Sequence, residues 1–405
     1  MQVKGLRLNH TCGFYHSSTK VSSEYLVVKY LDDWRANPNW KLVRFVERVY
    51  KDLGVHIGYY KAWYARARAK LTLYGDSAEE YARIFDYGFA ILKYNPGSSA
   101  IVVLEGIERP PPFFQRMYVC LDACKEGFKK GCRPLLGVDG CHLKGAFSGM
   151  ILVVVSKDGN NNIFPVAWAV VETDNKDSWT WFLELLIKDV GFPNGKGLTL
   201  DKQKGLIEAI AVMAPDAEVR FCARHIWANF KLKFHGDTFK EHFWKAARCN
   251  NKVDCEGHLA CIRLLDEDAY NYLIAIPPEH WARHAFRTTS NSNMLLNNLC
   301  ETFNAVLREA KDKPIITCLE WIMRYVMKRN TEKWEGVQGL EGKFMPYVSK
   351  VFKWISSYAS KCTVVPSRMD IWEDDFEGDG FVVNLNDNTC TCFHWELTGI
   401  PCPHA

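Results

Sequence analysis

Three apolar runs in succession constrain this chain more than any other feature. PLLGVDG from Pro134, GMILVVVSKDG from Gly149 and NIFPVAWAVVE from Asn162 are rich in β-branched and aromatic residues, and turn residues such as Asp158-Gly159-Asn160 separate them. A helical pattern follows in TWFLELLIKDVG, with Ser178 as its expected N-cap and Gly191 as its stop. Then come a strand (LTLD), a helix (KGLIEAIAVMA), a short strand (EVRFC) and a helix (RHIWANFKLKF). Three strands followed by alternating helices and strands predict a mixed α/β sheet covered by helices. Residues 236–290 carry helical periodicity without a strand pattern and read as a helical insertion. A last helix, LCETFNAVLREAK, is expected to stop at Pro314.

This α/β segment, taken as 133–330, has neighbours of different character. Residues 1–92 open with a β-like piece, MQVKGLRLNHTC, and become mainly helical. Trp40, Leu42, Val43, Phe45, Val46, Val49 and Tyr50 recur at helical spacing. After Leu53-Gly54 a second helix, YYKAWYARARAKLTLYG, ends at Gly75, and its polar face carries Lys61, Arg66, Arg68 and Lys70. Residues 1–70 hold thirteen Lys/Arg against five Asp/Glu, although the whole chain carries only +4. Such an excess points to a polyanionic partner. Two helices around a glycine turn fit a helix-turn-helix laid on DNA, and equally a small bundle with a charged outer face. Residues 93–132 read as a connector, a strand pair ending at Pro110, Pro111 and Pro112 and then a helix. Residues 331–369 read as a helical linker, and 370–405 as an acidic, strand-rich finger.

Composition narrows the setting. The longest apolar run, Met150 to Val155, is far short of a membrane span, and Met1 leads into a mixed stretch with no signal-peptide character. There are 15 cysteines, an odd number, mostly scattered singly as in Cys120, Cys141, Cys300 and Cys318. That usage fits small core residues in a reducing, intracellular compartment. The exception is at the end of the chain, where Cys390-x-Cys392 is followed after nine residues by Cys402-x-His404. Four soft ligands in two tight pairs match a closed, tetrahedral structural Zn²⁺ site.

Candidate chemistry lies on carboxylates. Asp139 ends the first strand and Asp201 ends the LTLD strand, and sites in such sheets form at strand carboxyl ends. Glu301 lies in the first turns of the last helix, whose face Glu301, Ala305, Arg308 can point back at the sheet. Carboxylates gathered this way hold hard divalent ions suited to phosphodiester cleavage. Taken singly, each reads equally as a turn residue, a cap or a complement to the helix dipole.

The runs GVDGCHLKG, AWAVVETDNKDSWTWFLELL, TLDKQKGLIEAI, RFCARHIWANF and NNLCETFNAVLREAKDKPI closely resemble, in that order, the MULE transposase domain of plant Mutator-like (MuDR) elements. The resemblance, from about Pro134 to Pro314, implies an RNase H-like fold with a DDE triad on Asp139, Asp201 and Glu301 that binds Mg²⁺ or Mn²⁺. It also implies an auxiliary Cys-x-x-His element at Cys222 and His225, although a packed cysteine and a hydrogen-bonded histidine would look the same. His142 and Lys144 fit the motif after Asp139, where Lys144 reads as a phosphate contact or a solvated lysine. CTCFHWELTGIPCPHA resembles a SWIM zinc finger with ligands Cys390, Cys392, Cys402 and His404, and His394 outside the set. The family continues past this point into a helix, so the finger is expected to be cut short. VKGLRLNHTC resembles the tail of a preceding zinc segment, with His10 and Cys12 matching its last pair. Two ligands cannot close a site, so no zinc is expected there. The resemblance implies a nuclear DNA transposase that binds terminal inverted repeats and target DNA and works as a homo-oligomer. A non-catalytic DNA-binding regulator descended from such an element has the same arrangement.

Overall fold

The computed structural model describes residues 20–37, 40–74, 77–106, 113–144, 149–191, 197–200, 204–376 and 378–405. Asp201, His10, Cys12 and the β-like opening piece lie outside these residues. The chain divides into two compact units. One takes the chain up to Arg83 together with Lys313–Leu319, and the other comprises Ile84–Asp312 and Glu320–Ala405. Among the described residues no helix is long and apolar enough to cross a membrane.

The first unit contains α1 (Ser23–Ala36), α2 (Leu42–Leu53), α3 (Tyr59–Tyr74) and α4 (Ser77–Ala82). Leu26, Val27, Tyr30 and Trp34 of α1 and Leu42, Phe45 and Val49 of α2 are buried with Ala62, Ala65 and Ala69 of α3. Spacings of three and four residues align each set on one face of its helix. The three alanines let α1 close on α3. The Ser22 side chain accepts from the Tyr25 N–H at 3.1 Å and caps α1, and Gly54, at φ 66°, closes α2. Glu80 accepts from the N–H groups of Ile316 and Thr317 at 2.6 and 3.1 Å, a carboxylate on the positive end of α14 (Ile315–Glu335).

The second unit is built on a seven-stranded sheet. After α5 (Ile84–Tyr94) come β1 (Ser99–Glu105), β2 (Phe113–Cys120), α6 (Asp122–Gly131), β3 (Leu135–His142), β4 (Met150–Lys157) and β5 (Ile163–Val171). Then follow α7 (Lys176–Val190), β6 (Gly197–Leu200), α8 (Lys204–Met213) and β7 (Glu218–Phe221). The strand order is β1-β2-β5-β4-β3-β6-β7. The first four pairings are antiparallel, while β6 and β7 run parallel to β3. Every residue of β4 from Met150 to Ser156 is buried, so its sequence is a continuous apolar run and not an alternation. The connector's strand pair is part of this sheet, added at the free edge of β5. The N-cap of α7 is Asn175, whose side chain accepts from the Ser178 N–H at 2.8 Å. Ser178 itself is buried inside the first turn and not at the cap, because the capping side chain bonds the N–H three residues on.

Beyond the sheet lie α9 (Ala223–Phe230), α10 (Asp237–Arg248), α11 (Lys252–Leu265) and α12 (Glu267–Ile274), then three short 3₁₀ turns ending at Ser290. α13 (Asn298–Val306) follows and tightens into a 3₁₀ turn over Leu307–Glu309. After α14 come α15 (Pro346–Ala359) and a four-stranded sheet of β8 (Thr363–Arg368), β9 (Ile371–Phe376), β10 (Asp379–Asn384) and β11 (Thr389–Cys390), closed by α16 (His394–Thr398). β8 falls at the end of the stretch expected to be wholly helical. Its β-branched run Thr363-Val364-Val365 pairs with β9.

Two packing features set the site. α13 lies directly on β3 and β4, and Gly137 permits it. A Cβ there would sit 2.9 Å from Cys300 Sγ and 3.2 Å from Asn297 Oδ1. The second is Arg220, buried on β7. It bonds to Glu218 at 2.8 and 3.0 Å and to the Ser292 and Arg287 carbonyls at 2.6 and 3.2 Å. A fully paired buried cation of this kind ties the chain preceding α13 to the sheet.

Candidate active site and metal centre

The ladder aligns Val138, Leu200 and Phe221 in one row across β3, β6 and β7. The next residues in the chain are Asp139, Asp201 and Cys222. Asp139 was expected to end its strand but lies within β3, which pairs with β4 as far as His142, whereas Cys222 directly follows the end of β7. Asp139 is buried. Its carboxylate accepts from the Gly140 N–H at 2.8 Å and from Asn304 Nδ2 at 2.7 Å.

Asn304 sits one turn after Glu301 on α13, so the helix that carries Glu301 is bonded to Asp139 through its asparagine. The side of α13 turned to the sheet is Cys300, Phe303, Asn304 and the following Leu307. The expected face of Glu301, Ala305 and Arg308 is not the one used, since Ala305 and Arg308 are exposed. The helix ends at Val306, and the 3₁₀ turn after it breaks the four-residue spacing.

Glu301 is half-buried and faces the start of α9, which is held by the Ala223 N–H donating to the Leu295 carbonyl at 2.9 Å. Arg224 Nη1 donates to Glu301 Oε2 at 2.5 Å, and its Nη2 to Asn298 Oδ1 at 3.0 Å. His225 Nε2 lies 4.0 Å from Glu301 Oε1. Ligand atoms of Cys222, His225 and Glu301 all fall within 4.8 Å of one another. Thiol, imidazole and carboxylate together suit a borderline divalent ion. Among the described residues Asp139 belongs to no such group of three. Asp201 lies outside them. The Lys144 N–H donates to the Lys311 carbonyl at 2.7 Å, which ties the end of the β3 motif to the chain after α13. Arg224, Asn298 and Asn304 were not singled out from the sequence. Asn304 was accessible as the i+3 neighbour of Glu301, whereas Arg224 carried no local signal.

The second centre is at the end of the chain. Ligand atoms of Cys390, Cys392, Cys402 and His404 lie within 4.8 Å of one another. His404 Nδ1 is 3.4 Å from Cys390 Sγ and 3.8 Å from Cys402 Sγ. A tetrahedral zinc with ordinary bond lengths separates its sulfur and nitrogen ligands by about 3.5 Å, so the cage has the right size. Hydrogen bonds from Cys390 and Cys392 hold the Cys402 thiol far below its usual range, and Cys390 is raised by its bonds to the other two. Three cysteine sulfurs and an imidazole are the soft ligand set that a zinc ion takes up. The His404 ring stacks on Phe381 at 3.9 Å, and the Cys390 N–H donates to Glu396 Oε1 at 3.1 Å. Val383, Cys390 and Cys402 make the finger's small core, with Trp372, Phe381 and Trp395 packed on it. His394 begins α16, outside the ligand set. Gly399 ends that helix at φ 69°, and a Cβ there would come 3.1 Å from Asn291 Oδ1, so the finger is seated on the turn preceding α13.

In the first unit Lys61, Arg66, Arg68 and Lys70 all lie on α3. Arg68 pairs with Glu24 and donates to Ser23 Oγ at 3.1 Å, a link to α1.

Residues 135–229 match the MULE transposase domain family. The matched stretch includes Asp139, Asp201, Cys222 and His225 and stops before Glu301. Residues 378–405 match the SWIM zinc finger family and contain the whole ligand set. The chain thus carries a transposase domain and a C-terminal SWIM finger, an arrangement consistent with a Mutator-like transposase. The Cys₃His cluster of that finger supports a structural zinc, and a transposase domain suggests DNA as the partner. No curated protein matches the chain.

Proposed function

We propose that the chain is a nuclear Mutator-like DNA transposase with an RNase H-like core, whose catalytic carboxylates are Asp139, Asp201 and Glu301. The observation that carries this reading is the register row Val138, Leu200 and Phe221, which Asp139, Asp201 and Cys222 follow in the chain, inside the stretch that matches the MULE transposase domain. The antiparallel β5-β4-β3 set, continued by parallel β6 and β7, supports the RNase H-like part. The three carboxylates would hold Mg²⁺ or Mn²⁺, which when bound activates water and neutralises charge at the scissile phosphate. The donors fit hard cations, since Asp139 offers carboxylate oxygens positioned by bonds from Gly140 and Asn304.

Asn304 fixes the rotamer of Asp139, and Arg224 fixes that of Glu301. His225 lies beside Glu301, where it can meet the DNA strand. Lys61, Arg66 and Lys70 of α3 would contact the phosphates of terminal inverted repeats, while Arg68 holds α3 to α1. Joining two element ends requires more than one copy of the chain at the reaction. The test is nicking of supercoiled DNA with Mn²⁺ by the zinc-loaded protein beside Asp139→Asn. Metal-dependent nicking by the parent and its loss in the variant is the expected result.

A second reading is favoured by the Arg224–Glu301 pair. A guanidinium 2.5 Å from the carboxylate competes with a metal ion for it. Under this reading the chain is a non-catalytic DNA-binding regulator, and inverted-repeat binding without nicking by the parent protein would select it.

A further inference from the structure

A cavity of 260 Å³ lies between the start of β3, the end of β4, the end of α10 and the chain entering α13. Arg133, Lys157, Arg248 and Arg283 line it, and among the described residues no carboxylate does. The cations are aimed by neutral partners. Arg133 Nη1 donates to the Asn291 carbonyl at 2.7 Å, and Arg283 Nε to the Asn293 carbonyl at 3.0 Å. The Arg248 guanidinium lies 5.1 Å from the centre of the Trp244 ring. Carbonyls and rings orient a cation without cancelling its charge.

Burial depresses the basicity of Arg133, Lys157 and Arg283. Arg133 adds to the effect on Lys157, and Arg248 to that on Arg283. Four like charges gathered in one hollow work against the fold, and an anion offsets that cost. We propose that this cavity is a phosphate-binding site in which Arg133, Lys157, Arg248 and Arg283 grip the oxygens of a phosphate group.

Asn298 gives the cavity its place in the molecule. It lines the hollow, and its Oδ1 accepts from Arg224, whose other nitrogen holds Glu301. The cavity wall at Asn298 is two hydrogen bonds from Glu301, through Arg224. A DNA strand passing Glu301 would supply the phosphate from its backbone, an origin that rests on the transposase reading. The phosphate chemistry of the cavity does not rest on it.

The experiment uses the zinc-loaded full chain without Mg²⁺ or Mn²⁺, beside Lys157→Gln/Arg248→Gln and Arg248→Lys. Thermal unfolding establishes that each variant is folded. DNA binding is followed by fluorescence anisotropy across a salt series, and inorganic pyrophosphate binding by calorimetry. Each lost phosphate contact lowers the salt slope by about one unit, so the double variant should lose about one to two units and Arg248→Lys should keep the parent slope. A reduced slope assigns the phosphate to a DNA backbone. Pyrophosphate binding that the double variant abolishes, at unchanged slope, assigns it to a free phosphate. An unchanged slope together with no variant-sensitive pyrophosphate binding overturns the proposal. Nicking is not read, so an inactive nuclease leaves this site standing, and an empty cavity leaves the nuclease reading standing.

Discussion

Gly137→Ala tests how closely α13 must approach the sheet. The new methyl carbon would stand 2.9 Å from Cys300 Sγ, 3.2 Å from Asn297 Oδ1 and 3.3 Å from Val155 Cγ2. All three neighbours are short side chains, two on or beside α13 and one on β4, so none can swing away as a long side chain would. Overpacking of this kind costs about 1–3 kcal/mol. Alanine also restricts the unfolded chain, which returns about 0.4–1 kcal/mol where the backbone is unstrained, as in this extended strand. The balance is a destabilisation of about 1–2 kcal/mol. Cys300→Ala removes the nearest clashing atom. It should be mildly destabilising alone yet recover stability in the Gly137→Ala background, with a coupling on the order of 1 kcal/mol. Thermal unfolding of the parent, both single variants and the double variant supplies the cycle. Gly137→Ala at or above parental stability, or a double variant equal to the sum of the singles, would refute the close-packing argument.

Other outcomes follow from the same geometry. Cys402→Ser should abolish stoichiometric zinc in a metal assay and unfold the finger, whose small core gathers Val383, Cys390 and Cys402 with a few aromatic neighbours. Asp139→Asn should lower Mn²⁺-dependent nicking at least about 100-fold, since several kcal/mol of transition-state stabilisation depends on the bound metal. Glu218→Ala leaves the Arg220 cation buried without its carboxylate and should destabilise the second unit by about 3–5 kcal/mol in denaturant unfolding. Burial and the Asp52 charge push the Tyr30 hydroxyl up to about 12. The folded state therefore holds this proton more tightly than the unfolded chain, and the stabilisation is complete below about pH 10 and declines as pH rises towards 12. Alkaline melting of the first unit should show that decline, and Tyr30→Phe should flatten it.

Much of the architecture was legible because its signals are local. The apolar runs of β3, β4 and β5 and the helical spacings of α2, α3, α7 and α8 each lie within a dozen or so residues, and hydrophobic periodicity reads that range directly. The ligand spacing Cys390-x-Cys392 and Cys402-x-His404 is likewise local. What sequence reading missed near Glu301 depended on partners distant in the chain. The start of α9 is bonded to the chain entering α13 through Ala223 and Leu295, and Arg224 reaches both Asn298 and Glu301 across that junction. The sheet-facing side of α13 was misread because a 3₁₀ turn cut the helix short and packing chose Cys300 and Phe303 for the buried side.

The sequence by itself determined most of the strands and helices around the seven-stranded sheet, which families the segments resemble and which three cysteines and one histidine cluster at the end of the chain, because backbone preference and ligand spacing act over short stretches. Only the tertiary structure decided that Asp139 is bonded to Asn304, that an arginine holds Glu301, and that four cations from separate elements meet in one carboxylate-free hollow. Those outcomes follow from parallel strand register, from close packing at Gly137 and from the buried Arg220 network. Each depends on residues tens to more than a hundred positions apart meeting in space, which no local pattern records.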